Sequence, residues 1–245
     1  MEQLVVYQCP YPKIRAGPMR DGGYVMCIMP GTYDAFLSGG IGDNVDFERH
    51  VLDMHPNLRQ CVAFDGTIAG LPVSDPRIAF VRQNLGDAND ASATTDLHPY
   101  LKDARDVLLK IDIEGHEFRL LPAMIKNGDI RRIKQLVLEV HTPADIQLFP
   151  RYFAGLAWVT QGVMDATLKG LNETHRLVHL HGNNGCGMHV RDGISTPNVF
   201  ECTYVRADAD AEWTPSRDAI PSPLDRPNVT DKPDLALSGW PFTNR

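Results

Sequence analysis

The sequence predicts a doubly wound α/β fold, on three observations. Short apolar runs alternate with helix-like segments along most of the chain. Several of these runs, such as DVLLKIDI and QLVLEV, are continuous rather than alternating with polar residues. Strands of that kind are buried on both faces, as in a parallel sheet covered by helices. No segment repeats, and no apolar run approaches the roughly 18 residues that a membrane-spanning helix needs. The repeated order strand, helix, strand then implies right-handed crossovers, with ligands at the carboxyl ends of the strands.

Taken in order, strands are expected at residues 34–38, 61–64, 78–81, 107–111, 135–140, 176–181 and 200–205. Helices are expected at 45–54, 96–102, 117–126 and 143–155. Before the first strand, residues 15–25 are dense in turn formers and could fold over a ligand, bringing Arg15 or Tyr24 into contact. After residue 206 the composition changes. The last 39 residues hold six of the 18 prolines, and seven acids against four bases. Proline continues neither helices nor central strands, so an irregular tail is expected. That tail carries Trp213, Leu224, Leu235, Leu237, Trp240 and Phe242. This is too apolar for a free linker, so it should wrap the domain and bury those side chains. The expected division is a domain over 1–206 and a tail over 207–245.

Composition narrows the function classes. Of 245 residues, 43% are hydrophobic and 22% charged, as in globular proteins. The net charge of −7 and the lack of a Lys/Arg cluster disfavour a nucleic-acid partner. The N-terminus, MEQLVVYQCPYPK, has an acid at position 2 and a short apolar stretch, unlike a secretory signal. Five cysteines without a C-x-x-C pair read as reduced thiols in a cytoplasmic setting. The N-x-T triplets at Asn172 and Asn228 are then accidents of composition.

Candidate chemistry gathers at the strand ends. The first strand runs into Gly39-Gly40-Ile41-Gly42, where glycines and a helix N-terminus favour close approach to a ligand. The second ends in Asp65-Gly66, an acid 25 positions after Gly40 and suited to a ribose hydroxyl pair. Loop and acid together fit either a dinucleotide or S-adenosylmethionine. The fourth strand ends in Asp112-Ile113-Glu114-Gly115-His116, and carboxylates so close to a buried strand are costly unless paired or metal-bound. The fifth ends in Glu139-Val140-His141. Asp112, Glu139 and His141 could therefore converge on Mg²⁺ or Mn²⁺. The sixth runs into His179-Leu180-His181-Gly182-Asn183-Asn184, whose His181, Asn183 and Asn184 suit sugar hydroxyls or a metal. Neither a nucleophile elbow nor a phosphate-binding loop occurs.

Several of these segments carry a resemblance. LLKIDIEGHEFRLL resembles the fourth-strand signature of FkbM-like S-adenosylmethionine-dependent O-methyltransferases. DGGYV, SGGIGDNVDFE and QLVLEVH are similar to segments of the same family. HGNNG, with FECTYV after it, is similar to segments in methyltransferases of polysaccharide and capsule clusters. The likeness spans about residues 13–206, with LDRPN in the tail a further point of contact. Phe36-Leu37-Ser38 stands where the family carries an acid before the glycines. The resemblance implies a class I methyltransferase fold, Rossmann-like, with six parallel strands and one reversed. It implies a hydroxyl acceptor, often on a sugar or glycan. Gly39, Gly40, Gly42, Asp65, Gly66, Asn84 and Asp112 would hold the cofactor. Asp112, Glu139 and His141 would hold the metal, with His141, His116 or Glu114 as base. His181, Asn183, Asn184 and Tyr24 would meet the acceptor. A nicotinamide-dependent oxidoreductase and a non-catalytic carbohydrate-binding module are the alternatives, the first weakened by the absence of a Tyr-x-x-x-Lys pair.

Overall fold

In a computed structural model, residues 1–89, 93–207 and 212–243 are described. Seven strands form one sheet: β1 (Ala35–Gly39), β2 (Cys61–Phe64), β3 (Ala79–Val81), β4 (Val107–Ile111), β5 (Ile133–His141), β6 (His175–Gly182) and β7 (Val199–Arg206). Their spatial order is β6-β7-β5-β4-β1-β2-β3. All neighbours pair in parallel except β7, which is antiparallel to both β5 and β6. Six parallel strands and one reversed strand in this order are the class I methyltransferase arrangement. All seven expected strands are present, each within two residues of its expected ends.

The continuous apolar runs do face two cores. Leu37, Leu109, Leu136 and Leu138 point to one face, and Phe36, Leu108 and Val137 to the other. The helices α1 (Asp46–Met54), α2 (His98–Leu101), α3 (Glu117–Asn127), α4 (Pro143–Leu148) and α5 (Gln161–Asn172) cover the sheet. The first face takes Leu121 of α3, Ile146 of α4 and Leu168 of α5, while the second takes Phe47 and Val51 of α1. Polar residues within the buried β5 are matched. The Gln135 amide accepts from the Cys27 N–H at 2.7 Å and donates to the Cys27 carbonyl at 3.2 Å. It thus pins to the sheet a hairpin that Lys13–Ala16 and Tyr24–Cys27 form.

Several expectations are corrected. The turn-rich segment 15–25 is the crossing of that hairpin rather than an isolated turn. A second hairpin pairs Met188–Arg191 with Ile194–Pro197. The helix expected over 143–155 stops at Leu148 and turns follow. Helix α5 was not anticipated, because Gly162 and Gly170 weaken its helical pattern. Gly170 is explained by packing: a Cβ there would stand 3.2 Å from Ile125 of α3. Thr160 caps α5 by accepting from the Val163 N–H.

Beyond residue 212 the described chain has no helix or strand, only single bridges from Pro215 to Tyr7 and from Ile220 to Leu237. Ile220, Leu237 and Phe242 join the larger core, and Trp213 packs edge-on against Tyr7. Leu224 and Leu235 are half-buried. Trp240 was expected inside and is 55% exposed. Its neighbour Phe242 takes the buried place instead, at 1%. Phe242→Ala should therefore cost about 3–5 kcal/mol, as deep aromatic truncations do. Trp240→Ala should stay within about 0.5 kcal/mol of the parent, as at an exposed site. Urea denaturation of both variants is the check, and equal losses would contradict this account of the tail.

Candidate active site

A cleft of about 680 Å³ opens at the carboxyl ends of β1, β2 and β4. That volume lies within the range of ligand pockets. One half is lined by Gly40, Ile41, Gly42, Phe64, Asp65 and Asn84. The other is lined by Arg20, Asp21, Asp112, Glu114, His116 and Tyr152.

The first half is built on contact between β1 and β4. Gly40 has φ +74°, and a Cβ there would lie 1.5 Å from the Asp112 carbonyl oxygen, so only glycine fits. Lys110, 5% exposed in the apolar β4, donates to the Gly40 carbonyl at 2.5 Å and lies 3.7 Å from the Asp112 carboxylate. This ammonium ties the glycine loop to the acid. The Asp65 carboxylate accepts from the N–H groups of Ile41 (3.0 Å) and Gly42 (2.9 Å) through one oxygen. Through the other it accepts from the N–H (2.8 Å) and hydroxyl (2.6 Å) of Thr67. Burial opposes its charge, but these four bonds outweigh that and hold it below its ordinary range. Asn84 accepts from the Gly66 N–H at 3.0 Å. Gly39 and Gly66 stand with them at the ends of β1 and β2.

The second half is acidic. Tyr24, fully buried, donates its phenol to Asp112 at 2.8 Å and does not line the cleft. Tyr24 is therefore a holder of Asp112 rather than the acceptor contact expected of it. Glu114 follows with φ +55°, a left-handed backbone that aims it away from the strand. His141 lies between carboxylates: Nδ1 is 2.9 Å from Asp145 and Nε2 is 3.2 Å from Glu114. The His141 N–H donates to Glu117 at 2.9 Å. Burial disfavours the imidazolium, but the Asp145 hydrogen bond and the charges of Glu117 and Glu114 push it up to about 9. Burial raises Glu114 above its ordinary value, whereas burial and Arg119 lower His116.

Donor atoms of Asp112, Glu114 and His141 lie within 4.8 Å of one another. Two cis ligands on a hard ion at about 2.1 Å stand about 3.0 Å apart, so the three groups must draw closer to share one; two carboxylates and an imidazole are donors of the kind that Mg²⁺ or Mn²⁺ takes. Asp145 behind the ring completes the usual carboxylate–histidine pairing. Glu139, expected in this set, does not reach it. It shares the His141 face but sits two residues, about 6.6 Å, further back along the strand. There it is buried, accepts from Asn183 at 3.0 Å, and lies directly across from Glu201. Burial and the charges of Asp112 and Glu201 keep it protonated well above the ordinary carboxyl value.

The acceptor residues expected after β6 are also corrected. His181 is wholly buried between Glu201 (3.1 Å) and Asp234 (2.9 Å). Asn184 donates to carbonyls of Val229 and Lys232 and accepts from the Val229 N–H. Asn183 holds Glu139. Their polar groups fasten the tail and the fold and line no part of the cleft. Arg15 holds its own turn through the carbonyls of Pro18 and Arg20. Four residues of the site were not anticipated: Lys110, Glu117, Asp145 and Tyr152. Lys110 and Glu117 left a trace, since both stand in the segment LLKIDIEGHEFRLL.

With this geometry established, comparison with known proteins is informative. The sequence profile of the methyltransferase FkbM domain matches residues 76–168. The matched FkbM segment runs from just before β3 into α5 and contains Asn84, Asp112, Glu114 and His141, while the glycine loop and Asp65 precede it. No curated protein matches the chain in sequence. Among solved structures, the plantazolicin methyltransferase BpumL with a monoazolic desmethylPZN analog and SAH aligns over 73% of this chain and 77% of its own. Its identity is 10% and its TM-score 0.39. The 16S rRNA (adenine(1408)-N(1))-methyltransferase from Catenulisporales acidiphilia covers 81% of this chain and 99% of its own, at 14% identity and TM-score 0.35. The aminoglycoside resistance methyltransferase NpmB1 covers 80% and 100%, at 13% identity and TM-score 0.35. The fold assignment rests on the strand order of this chain itself.

One prediction follows from the tail anchor. Burial lowers the His181 pKa, but the Glu201 hydrogen bond and the charges of Glu201, Asp225 and Asp234 raise it to about 9. A folded-state value above the unfolded 6.5 means that its stabilisation is complete below about pH 6.5 and fades as pH rises through 9. Urea midpoints should therefore fall from pH 7 to 9.5 in the parent, and this slope should flatten in His181→Asn.

Proposed function

We propose that the protein is an S-adenosylmethionine-dependent O-methyltransferase that methylates a hydroxyl of a sugar or glycan, assisted by a divalent ion. The observation that carries this reading is the placement of Asp112, Glu114 and His141 beside the glycine loop, at the mouth of a methyltransferase-type sheet. The FkbM segment supports the cofactor. The cofactor supplies the electrophilic methyl group. Gly40 and Gly42 would admit it closely, and Asp65 and Asn84 line the part of the cleft that we assign to its ribose and base, with Gly66 held behind them by Asn84.

The chemical difficulty is that an alcohol is a weak nucleophile at neutral pH. Its oxygen must be held in line with the methyl group and its proton taken. Asp112, fixed by Tyr24 and Lys110, orients the hydroxyl. His141 keeps its proton until about pH 9, so it is poorly suited as a base. Glu114, half-exposed in the cleft and raised above its ordinary value by burial, accepts the proton, and His141 holds its carboxylate in place beforehand. An ion on Asp112 and His141, which would bind as the neutral imidazole, would lower the pKa of the hydroxyl and leave Glu114 free as the base. His116 lines the same cleft without a carboxylate partner of this kind and is the weaker candidate base.

The nicotinamide alternative loses ground, because the reversed β7 and the FkbM segment belong to methyltransferases. A carbohydrate module without chemistry leaves the Glu114–His141–Asp145 chain unexplained. No described helix is long and apolar enough to cross a membrane.

Calorimetry should show binding of S-adenosylhomocysteine and none of NAD; failure to bind the former would sink the reading. Glu114→Gln should slow transfer to a glycan acceptor by about 10²-fold or more, the scale of a lost general base. Its cofactor affinity should stay close to the parent. Full transfer in EDTA would remove the ion and leave Glu114 as an unassisted base.

A further inference from the structure

The residues first expected to bind the acceptor are occupied within the fold, so the acceptor needs another place. The cleft offers one beyond Asp112. On one wall stands Tyr152, in the turns between α4 and α5, with 66% of its surface exposed. Its ring stands in the same lining as Glu114, at the edge of the reaction centre. Phe153 supports it edge-on at 4.9 Å and itself packs on His141 at 5.2 Å. The hairpin turn with Arg20 and Asp21 lines the same cleft. That turn is not free either: Asn228 of the tail donates to Asp21 at 2.9 Å and to Glu201 at 2.7 Å.

We propose that Tyr152 and Asp21 form the two walls of the acceptor subsite, and that this subsite takes an uncharged polyhydroxylated ring. This deepens the reading given above and rests on it. An exposed, anchored aromatic face is a platform for the apolar C–H face of such a ring. Carboxylates are acceptors only, so Asp21, Asp112 and Glu114 suit hydroxyl donors at its edge. In the ion-free protein the carboxylates of Asp21, Asp112 and Glu114 outnumber the Arg20 and Lys110 cations of the same lining, which disfavours a phosphate or carboxylate on the same ring, since like charges brought together in a cleft repel. Asn228 acts through Asp21 and is a positioning residue.

The test is saturation-transfer NMR of the protein loaded with S-adenosylhomocysteine. The probes are the methyl glycosides of glucose, galactose, mannose and rhamnose, with glucose 6-phosphate and glucuronic acid as anionic counterparts. At least one neutral glycoside should receive saturation, and the anionic sugars far less. Tyr152→Ala, at an exposed position that the fold tolerates, should weaken the signal at least fivefold. Tyr152→Phe, which keeps the ring, should retain most of it. Equal signals in the parent and Tyr152→Ala, equal binding of anionic and neutral sugars, or no saturation of any glycoside would each overturn the subsite. Cofactor binding in the same samples separates the two claims. If it persists while the glycosides fail, only the subsite falls; if it is absent, the methyltransferase reading falls as well.

Discussion

Everything at the cleft depends on one close approach, that of the Gly40 backbone to the Asp112 carbonyl. Parallel pairing of β1 and β4 brings the two strand ends level, Gly39 beside Ile111, and the absence of a side chain at Gly40 lets the loop turn over the acid. Lys110 then spans the same junction, neutralising charge where a carbonyl and a carboxylate would otherwise meet without a cation. A wider spacing here would separate the cofactor half of the cleft from its acidic half. The sheet and the two helical layers serve to hold this junction still.

A second theme is how much buried charge the fold arranges in chains rather than in isolated pairs. Asp145, His141 and Glu114 form one chain, and Glu201, His181 and Asp234 another. The first ends in the cleft, and the second fastens the tail. A single buried carboxylate in either place would be neutral or would carry a large desolvation cost. The shared imidazolium lets several acids stay close together, which is what an acidic reaction centre in a deep sheet requires.

The sequence was most informative where burial is two-sided. Runs such as VLLKI and LVLEV admit few other structures, and each became a strand of the central sheet. Helix α5 was hidden because its glycines serve packing against Ile125, a requirement visible only once α3 lies beside it. Asp112, Glu114 and His141 drew attention in the sequence as ionisable groups at the ends of apolar strands, and the fold brings them together. Glu139 was placed on the correct face but at the wrong depth, since alternation fixes side and not distance from the strand end. His181, Asn183 and Asn184 were misread because a loop that grips a polypeptide tail and one that grips a ligand call for the same donors and acceptors. Tyr152 and Asp145 gave no signal, as their importance arises only from what the chain sets next to them.

The carboxylate of Asp65 has a further consequence. Its four acceptor positions are already taken by Ile41, Gly42 and Thr67. A diol that reaches it must exchange with backbone amides of the loop rather than fill a vacancy. Occupancy of the cleft and the shape of the glycine loop are then two descriptions of one equilibrium. The net affinity contributed by that acid is a small difference between two well-satisfied states, while the rate of ligand entry is set by how readily the loop lets go.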